Sequence, residues 1–271
     1  MRTNKKDEQN FFEVEIFGGG RPNVYVVGSV HGDENVGKRV MKRLRETKLI
    51  QGTLVTIVAN LQALQKGKRC IDTDLNRCFP GKKNGNHEEG FAFRLSKILK
   101  QADFVIDVHS TTTDVKDLAI IKKQNAKTKA LLNHINPRRV ALMPKGIGDG
   151  SLINHCLAGV SFEYGPHKSM YTYRRCLQDI NRVLFRLKMV KHDTKRKNFK
   201  TAYFQVYGTV KKPKGLRMRK GIKNFVLVRK GDILGRVNNK PIFAEENFYP
   251  ILFGEKAYKD IMGFKAKKTT G

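Results

Sequence analysis

Four side chains carry the residue types that a hydrolytic metal site needs: His31 and Glu34 in GSVHGDEN, His109 in DVHSTT and Glu163 in FEYGP. A catalytic zinc takes three protein ligands and leaves a further position open for water. Two imidazoles and one carboxylate fit that count. His31 and Glu34 stand three residues apart, close enough for one tight turn to aim both at a single ion, while His109 arrives from a separate, much later segment. Glu163 is then the spare carboxylate, suited to take a proton from zinc-bound water and pass it to a leaving nitrogen.

Each fragment alone carries little weight, because His-x-x-Glu arises by chance and a lone His at a strand end is commonly a structural group. The combination carries more. All four positions follow apolar, strand-like runs, NVYVVGSV, FVIDV and GVSF. In open α/β sheets, ligands collect in the crevice outside the carboxyl ends of the strands. Between the first pair and His109 lies GKRCIDTDLNRCFPG, with Arg69, Asp74, Asn76 and Arg77. Guanidinium groups form bidentate bonds to carboxylates, so Arg77 with the Asn76 amide suits the anionic end of a substrate, and Arg69 suits a developing oxyanion. The plain alternative is a solvated basic loop, which has no need of this order of Asp, Asn, Phe, Pro and Gly.

The chain resembles the succinylglutamate desuccinylase and aspartoacylase family of the zinc carboxypeptidase-like superfamily. The motifs that carry the resemblance are HGDE at 31 to 34, RCIDTDLNRCFPG at 69 to 81, DVHSTT at 107 to 112, EYGP at 163 to 166 and FYPILFGEKAY at 248 to 258. The resemblance spans nearly the whole chain. It implies one zinc per chain on His31, Glu34 and His109, Glu163 as the catalytic carboxylate, and Arg69 polarising the scissile carbonyl. It also implies that Asn76 and Arg77 hold the substrate carboxylate, that Tyr258 reaches the substrate from the C-terminal part, and that Asp74 orients a zinc-bound imidazole. The reaction implied is hydrolysis of a small anionic N-acyl amino acid. One departure bears on specificity: aspartoacylases carry an arginine about ten residues before the catalytic Glu, for a second substrate carboxylate. Here GSLINHCLAGVS has none, and the nearest basic residue is His155. The acyl group and the amino acid stay open.

Elements that could position these residues are legible from periodicity. Strands are expected near 23–30, 54–60, 104–109, 118–123, 140–144 and 159–164. Helical spacing places Val36, Val40 and Leu44 on one face, and Phe91, Leu95, Ile98 and Leu99 on another. AKTKALLNHI and TYRRCLQDINRVLFRLKMV continue the pattern. Strands alternating with helices indicate an α/β fold, a mixed and largely parallel sheet covered on both faces. After about residue 190 the helical period stops, and TAYFQVYGTVKK, NFVLVRKGDILGRV, KPIFAEEN and YPILF read as strands. The expected division is a catalytic domain over 1–190 and a small C-terminal β domain over 198–271, with the basic run 191–200 as linker.

Composition bounds the rest. The 271 residues, 39% of them hydrophobic, suffice for an ordinary core. No run approaches the roughly 20 apolar residues of a membrane span, and no signal-peptide pattern opens the chain, so a cytoplasmic location is expected. Cys70, Cys78, Cys156 and Cys176 show no Cys-x-x-Cys pairing and are expected to be reduced. The 54 Lys and Arg against 24 Asp and Glu give +30, a field that attracts polyanions. Two other readings therefore stand beside the amidohydrolase: a zinc carboxypeptidase acting on peptides, and an RNA- or polyanion-binding protein on the same fold. The sequence leaves the oligomeric state open.

Overall fold

A computed structural model describes residues 2–6, 11–113, 115–193 and 198–270. Two strands precede the first expected one, β1 (Arg2–Lys6) and β2 (Glu13–Gly19). The expected series follows as β3 (Asn23–Gly28), α1 (Val36–Leu44), β4 (Gly52–Val58), α2 (Leu61–Gln65), α3 (His87–Leu99), β5 (Phe104–Thr111), β6 (Leu118–Ile121), α4 (Ala126–Ile135), β7 (Arg139–Leu142), β8 (Gly159–Pro166) and α5 (Met170–Arg186). The short α2 had no counterpart in the sequence reading. The C-terminal part adds β9 (Ala202–Lys211), β10 (Arg217–Met218), β11 (Ile233–Val237), β12 (Lys240–Phe243), β13 (Tyr249–Ile251) and β14 (Ile261–Thr269).

Eleven strands form one sheet in the order β1-β2-β4-β3-β5-β8-β6-β7-β9-β14-β13. Its centre, β4-β3-β5-β8, is parallel, and β6 joins β8 antiparallel. Alternation along the central strands makes two cores, because successive side chains point to opposite faces. Val24 and Val26 pack in one cluster with Val40 of α1, Leu131 of α4 and Ile180 of α5. Tyr25 and Val27 pack in the other with Phe91 and Leu95 of α3. Helices therefore cover both faces, as the periodicity predicts. The start of α3 is fixed by a reciprocal capping box, in which Asn86 accepts from the Glu89 amide while Glu89 reaches back to the Asn86 amide. Leu95 and Leu99 are fully buried, and removing such a side chain costs about 2–5 kcal/mol.

The large sheet continues through the boundary expected near 190–198. β9 pairs parallel with β7, from Arg139 opposite Ala202 onward, and β14 and β13 add antiparallel beyond it. Phe204, Ile251 and Phe264 share the cluster that holds α3. Of the expected linker, residues 194–197 lie outside the described residues. β10, β11 and β12 form a separate antiparallel sheet over a small core that includes Leu216, Leu234, Phe248 and Met262.

One expectation in this part needs correction. NFVLV is not a strand: Phe225 sits at φ +67°, which breaks the extended run, Val226 and Leu227 are exposed, and Val228 makes only an isolated bridge to Phe248. The basic tail is largely strand β14. Its buried Phe264 and Ala266 alternate with Lys265 and Lys267, the pattern of a half-buried strand. The four cysteines are unpaired. Among the described residues, no helix is long and apolar enough to cross a membrane.

Candidate active site

The turn between β3 and α1 carries His31 and Glu34 and lies directly on α2. A Cβ at Gly32 would sit 2.1 Å from the Ala63 carbonyl carbon, so glycine is what permits the approach. The Gly32 amide also donates to the Arg69 carbonyl (3.1 Å), which ties this turn to the loop that holds the basic residues. His109 and Glu163 come from adjacent parallel strands, β5 and β8, where they stand opposite each other in register. Two residues back in the same register and on the same faces, Asp107 stands opposite Ser161.

His31, Glu34 and His109 are buried, and one donor atom from each lies within 4.8 Å of the others. His31 Nδ1 lies 2.8 Å from Glu34 Oε1, and His109 Nδ1 lies 3.3 Å from Glu34 Oε2. The far nitrogens are engaged elsewhere. His31 Nε2 faces Asp74 Oδ1 at 3.1 Å, and His109 Nε2 faces Asp107 Oδ2 at 2.8 Å. A carboxylate behind each imidazole holds the proton on Nε2 and leaves Nδ1 as a lone-pair donor, the arrangement found around protein zinc ions. Two Nδ1 atoms and a carboxylate thus fit a borderline-soft divalent cation, with zinc first by donor type. The partners are themselves fixed. Ser161 donates to Asp107 (2.5 Å), and the Ser110 amide donates to Glu34 Oε2 (2.8 Å).

The electrostatics follow from this packing. Burial alone would lower the basicity of both imidazoles, but Glu34 and Asp74 outweigh it at His31, and Asp107 and Glu34 outweigh it at His109, which is raised well above its ordinary value. Glu34 is held far below the usual carboxylate range, because the two imidazoles overcome its desolvation. Glu163 goes the other way. Burial, opposed by His109 and reinforced by Glu34, pushes it up to about 7. Its Oε2 is buried and has no hydrogen-bond partner among the described residues. A carboxyl group poised near neutrality with a free oxygen is equipped to accept a proton and give it back.

The loop 69–78 brings the remaining predicted residues to the same place. Arg69 donates to Asp74 Oδ2 through Nη2 (2.9 Å) and Nε (3.3 Å), and Asp74 also caps the short 3-10 turn Leu75–Arg77 by accepting from the Asn76 amide (2.9 Å). Asn76 Oδ1 accepts from the Leu152 amide (3.0 Å), and Arg77 Nη1 donates to the Asn76 carbonyl (2.8 Å). What anchors this loop is Glu88, which the sequence reading missed. Fully buried at the start of α3, it accepts from the amides of Ile71 (2.7 Å), Asp72 (2.9 Å) and Thr73 (3.2 Å) and from the Asn60 side chain (3.1 Å). No spacing rule announces such a residue. Asp107 was also missed as a partner, although its place two residues before His109 on a strand puts both on one face.

A cavity of about 310 Å³ opens beside this cluster, and His31, Arg69, Asn76, Arg77, His109, Glu163 and Tyr258 all line it. A second, of about 160 Å³, shares His31, Arg69, Glu163 and Tyr258 and adds Glu34. Asp74 stands behind His31. The structure therefore gathers all nine predicted residues at one site. Tyr258 reaches it from the C-terminal part, packed edge-on against Phe264 (5.4 Å between centroids), and burial together with Glu163 holds its phenol above the usual range. The position ten residues before Glu163 is Ile153, buried and part of the larger cavity's wall. His155, the nearest basic candidate, is not in that wall; its Nε2 faces the Asp149 carbonyl at 3.1 Å.

Residues 20–170 match the family model described as the succinylglutamate desuccinylase/aspartoacylase catalytic domain. A probable aspartoacylase of Acaryochloris marina is 31% identical over 161 residues, 53% of this chain and 55% of that protein, so the chain matches about half the length of this relative. An N-acyl-aromatic-L-amino acid amidohydrolase of Xenopus tropicalis is 25% identical over 277 residues, covering 87% of this chain and 88% of that one. Among solved structures, a succinylglutamate desuccinylase/aspartoacylase from Rhodobacter sphaeroides superposes with a TM-score of 0.76 at 18% identity, covering 99% of this chain and 94% of that chain, a likeness of fold. With the matched model extending over more than half of its length, the chain belongs to the succinylglutamate desuccinylase/aspartoacylase family.

Proposed function

We propose that the protein is a zinc-dependent amidohydrolase that cleaves the amide bond of a small N-acyl amino acid, releasing a carboxylate and a free amino acid. The observation that carries this reading is the pairing of the His31, Glu34 and His109 donor set with a buried, unpartnered Glu163 oxygen beside it. His31 Nδ1, His109 Nδ1 and Glu34 would hold one zinc per chain. When bound, zinc supplies Lewis acidity and makes water acidic enough to be a nucleophile near neutral pH. Residues 1–190 supply the reactive groups, and residues 198–271 close the cavity with Tyr258.

The protein's own residues divide the remaining work. Glu163 accepts the proton of the attacking water at Oε2 and returns it to the leaving amide nitrogen. Arg69, steadied by Asp74, keeps donors for the amide oxygen as negative charge builds there, an effect that is large when the donors are fixed in advance. Arg77 and Asn76 receive the substrate carboxylate through charge-assisted bonds. Tyr258 narrows the mouth and reaches the substrate from the C-terminal part.

The test is substitution of the proton carrier alone. Glu163→Ala is expected to retain one zinc per chain by metal analysis and to lose about a hundredfold to ten-thousandfold in kcat on N-acetyl amino acids. A variant that keeps its rate would refute the assigned role.

A further inference from the structure

Two lobes meet at the site, and their walls differ in kind. The smaller one, about 160 Å³, is polar, with Ser110, Thr111, Thr113, His167 and Lys256 in its lining. The larger one, about 310 Å³, is walled by Ile120, Met143, Ile147, Ile153, Ile261 and Phe264. Arg77 and Asn76 line the larger lobe and not the smaller. The carboxylate-bearing half of a substrate therefore belongs in the larger lobe and a short acyl group in the smaller.

The larger lobe can neutralise one carboxylate. Three cations line it, Arg69, Arg77 and Lys122, but two are already engaged. Arg69 is tied to Asp74 through two donors. Lys122, with a buried side chain, directs its ammonium group to the Pro144 carbonyl (2.6 Å), the Ile147 carbonyl (2.8 Å) and Asp149 Oδ1 (2.6 Å), which uses all three N–H donors. Its work is to hold the segment 144–149 that presents Ile147 to the lobe. Arg77 bonds only a backbone carbonyl and has no carboxylate partner among the described residues. A second carboxylate, on the substrate side chain, would meet the isoleucines with nothing to pair it, and an unpaired charge out of water is costly. An apolar side chain there is rewarded by burial. The volume suits a small ligand, since pockets for such molecules start at about 300 Å³.

We propose that the substrate is an N-acyl amino acid whose amino-acid half has a single carboxylate and an apolar side chain seated against Ile120, Met143, Ile147 and Ile153. This rests on the amidohydrolase reading for the chemistry, while the preference itself is a matter of binding and can be read without turnover. The experiment is calorimetric titration of zinc-loaded Glu163→Ala protein with N-acetylleucine, N-acetylphenylalanine and N-acetylaspartate, with turnover of the same three measured on the unsubstituted protein. The two apolar ligands are expected to bind at least about tenfold tighter than N-acetylaspartate, the order of effect a hydrophobic pocket gives. Ile153→Arg in the same background is expected to narrow or reverse that ratio. Because Ile153 is buried, Ile147→Arg on the partly exposed segment serves as a second variant with the same expected direction. N-acetylaspartate binding as tightly as N-acetylleucine, or no binding by any of the three, overturns the proposal. Tighter binding of the apolar ligands with no hydrolysis of them upholds the ligand class and overturns the amidohydrolase reading alone.

Discussion

The floor of the site and the wall of its larger lobe are built on opposite principles. On the floor, polar groups are held by named partners: each imidazole has a carboxylate behind it, Glu34 faces both imidazoles, and Asp107 accepts from Ser161. In the wall, isoleucines, Met143 and Phe264 offer area without direction, and Lys122, one of the three cations in the lining, is clamped by its own loop. A hydrogen-bonded network tolerates little change in the atoms it joins. An apolar wall can be reshaped residue by residue at modest cost. In the proposed reading, the floor fixes the reaction, and the wall sets which amide is presented to it.

Substitutions on the two sides should separate accordingly. On the floor, Asp107→Asn leaves the shape of β5 intact but removes the charge behind His109. Zinc affinity, measured by competition with a chelator, is expected to fall about 10- to 100-fold. An unchanged affinity would mean that His109 needs no support.

Glu88 tests the floor through the loop it anchors. Burial raises its pKa, but the Ile71, Asp72 and Thr73 amides with Asn60 outweigh this and lower it below the ordinary value. A lowered folded-state pKa contributes stability that is fully present above the unfolded value, near about 4.3, and lost as pH falls through the folded one. Glu88→Gln is expected to cost about 2 kcal/mol at pH 7 by denaturant unfolding, and the gap from the unsubstituted protein is expected to shrink below about pH 4. A gap that stayed constant with pH would contradict the charge argument.

At the junction of floor and wall, Arg77→Ala should raise KM about tenfold or more while kcat changes less, since it removes a charge-assisted bond made in the ground state as well as the transition state. The smallest effect is expected at His155, which lies off the cavity wall. His155→Ala should alter kcat/KM on N-acetyl amino acids by less than about twofold, in line with substitutions away from a site.

The sequence made the floor readable and the wall much less so. His31, Glu34, His109 and Glu163 were found because strand-end positions and ligand chemistry restrict residue types there. Arg69, Asn76 and Arg77 stood out because their order within one short loop has no purely solvating explanation. Ile153 was visible only as a missing arginine, and Met143 and Ile147 not at all, since an isoleucine in a binding wall has the same pattern as one in a core. Glu88 was hidden for a related reason: its partners are backbone amides, which leave no trace in side-chain spacing. The central strands and the helices α1, α3, α4 and α5 followed from periodicity. β14 was obscured by its lysines, and the pairing of β9 with β7 is a long-range contact that no local pattern encodes.

Metal dependence is the central claim, and one measurement addresses it directly. The protein is stripped with a chelator, its metal content is verified, and hydrolysis of N-acetyl amino acids is followed as zinc is added back. Activity should vanish in the stripped protein and return in proportion to zinc, reaching its plateau at one equivalent per chain. Stripped protein that hydrolyses these amides at the full rate would contradict the account.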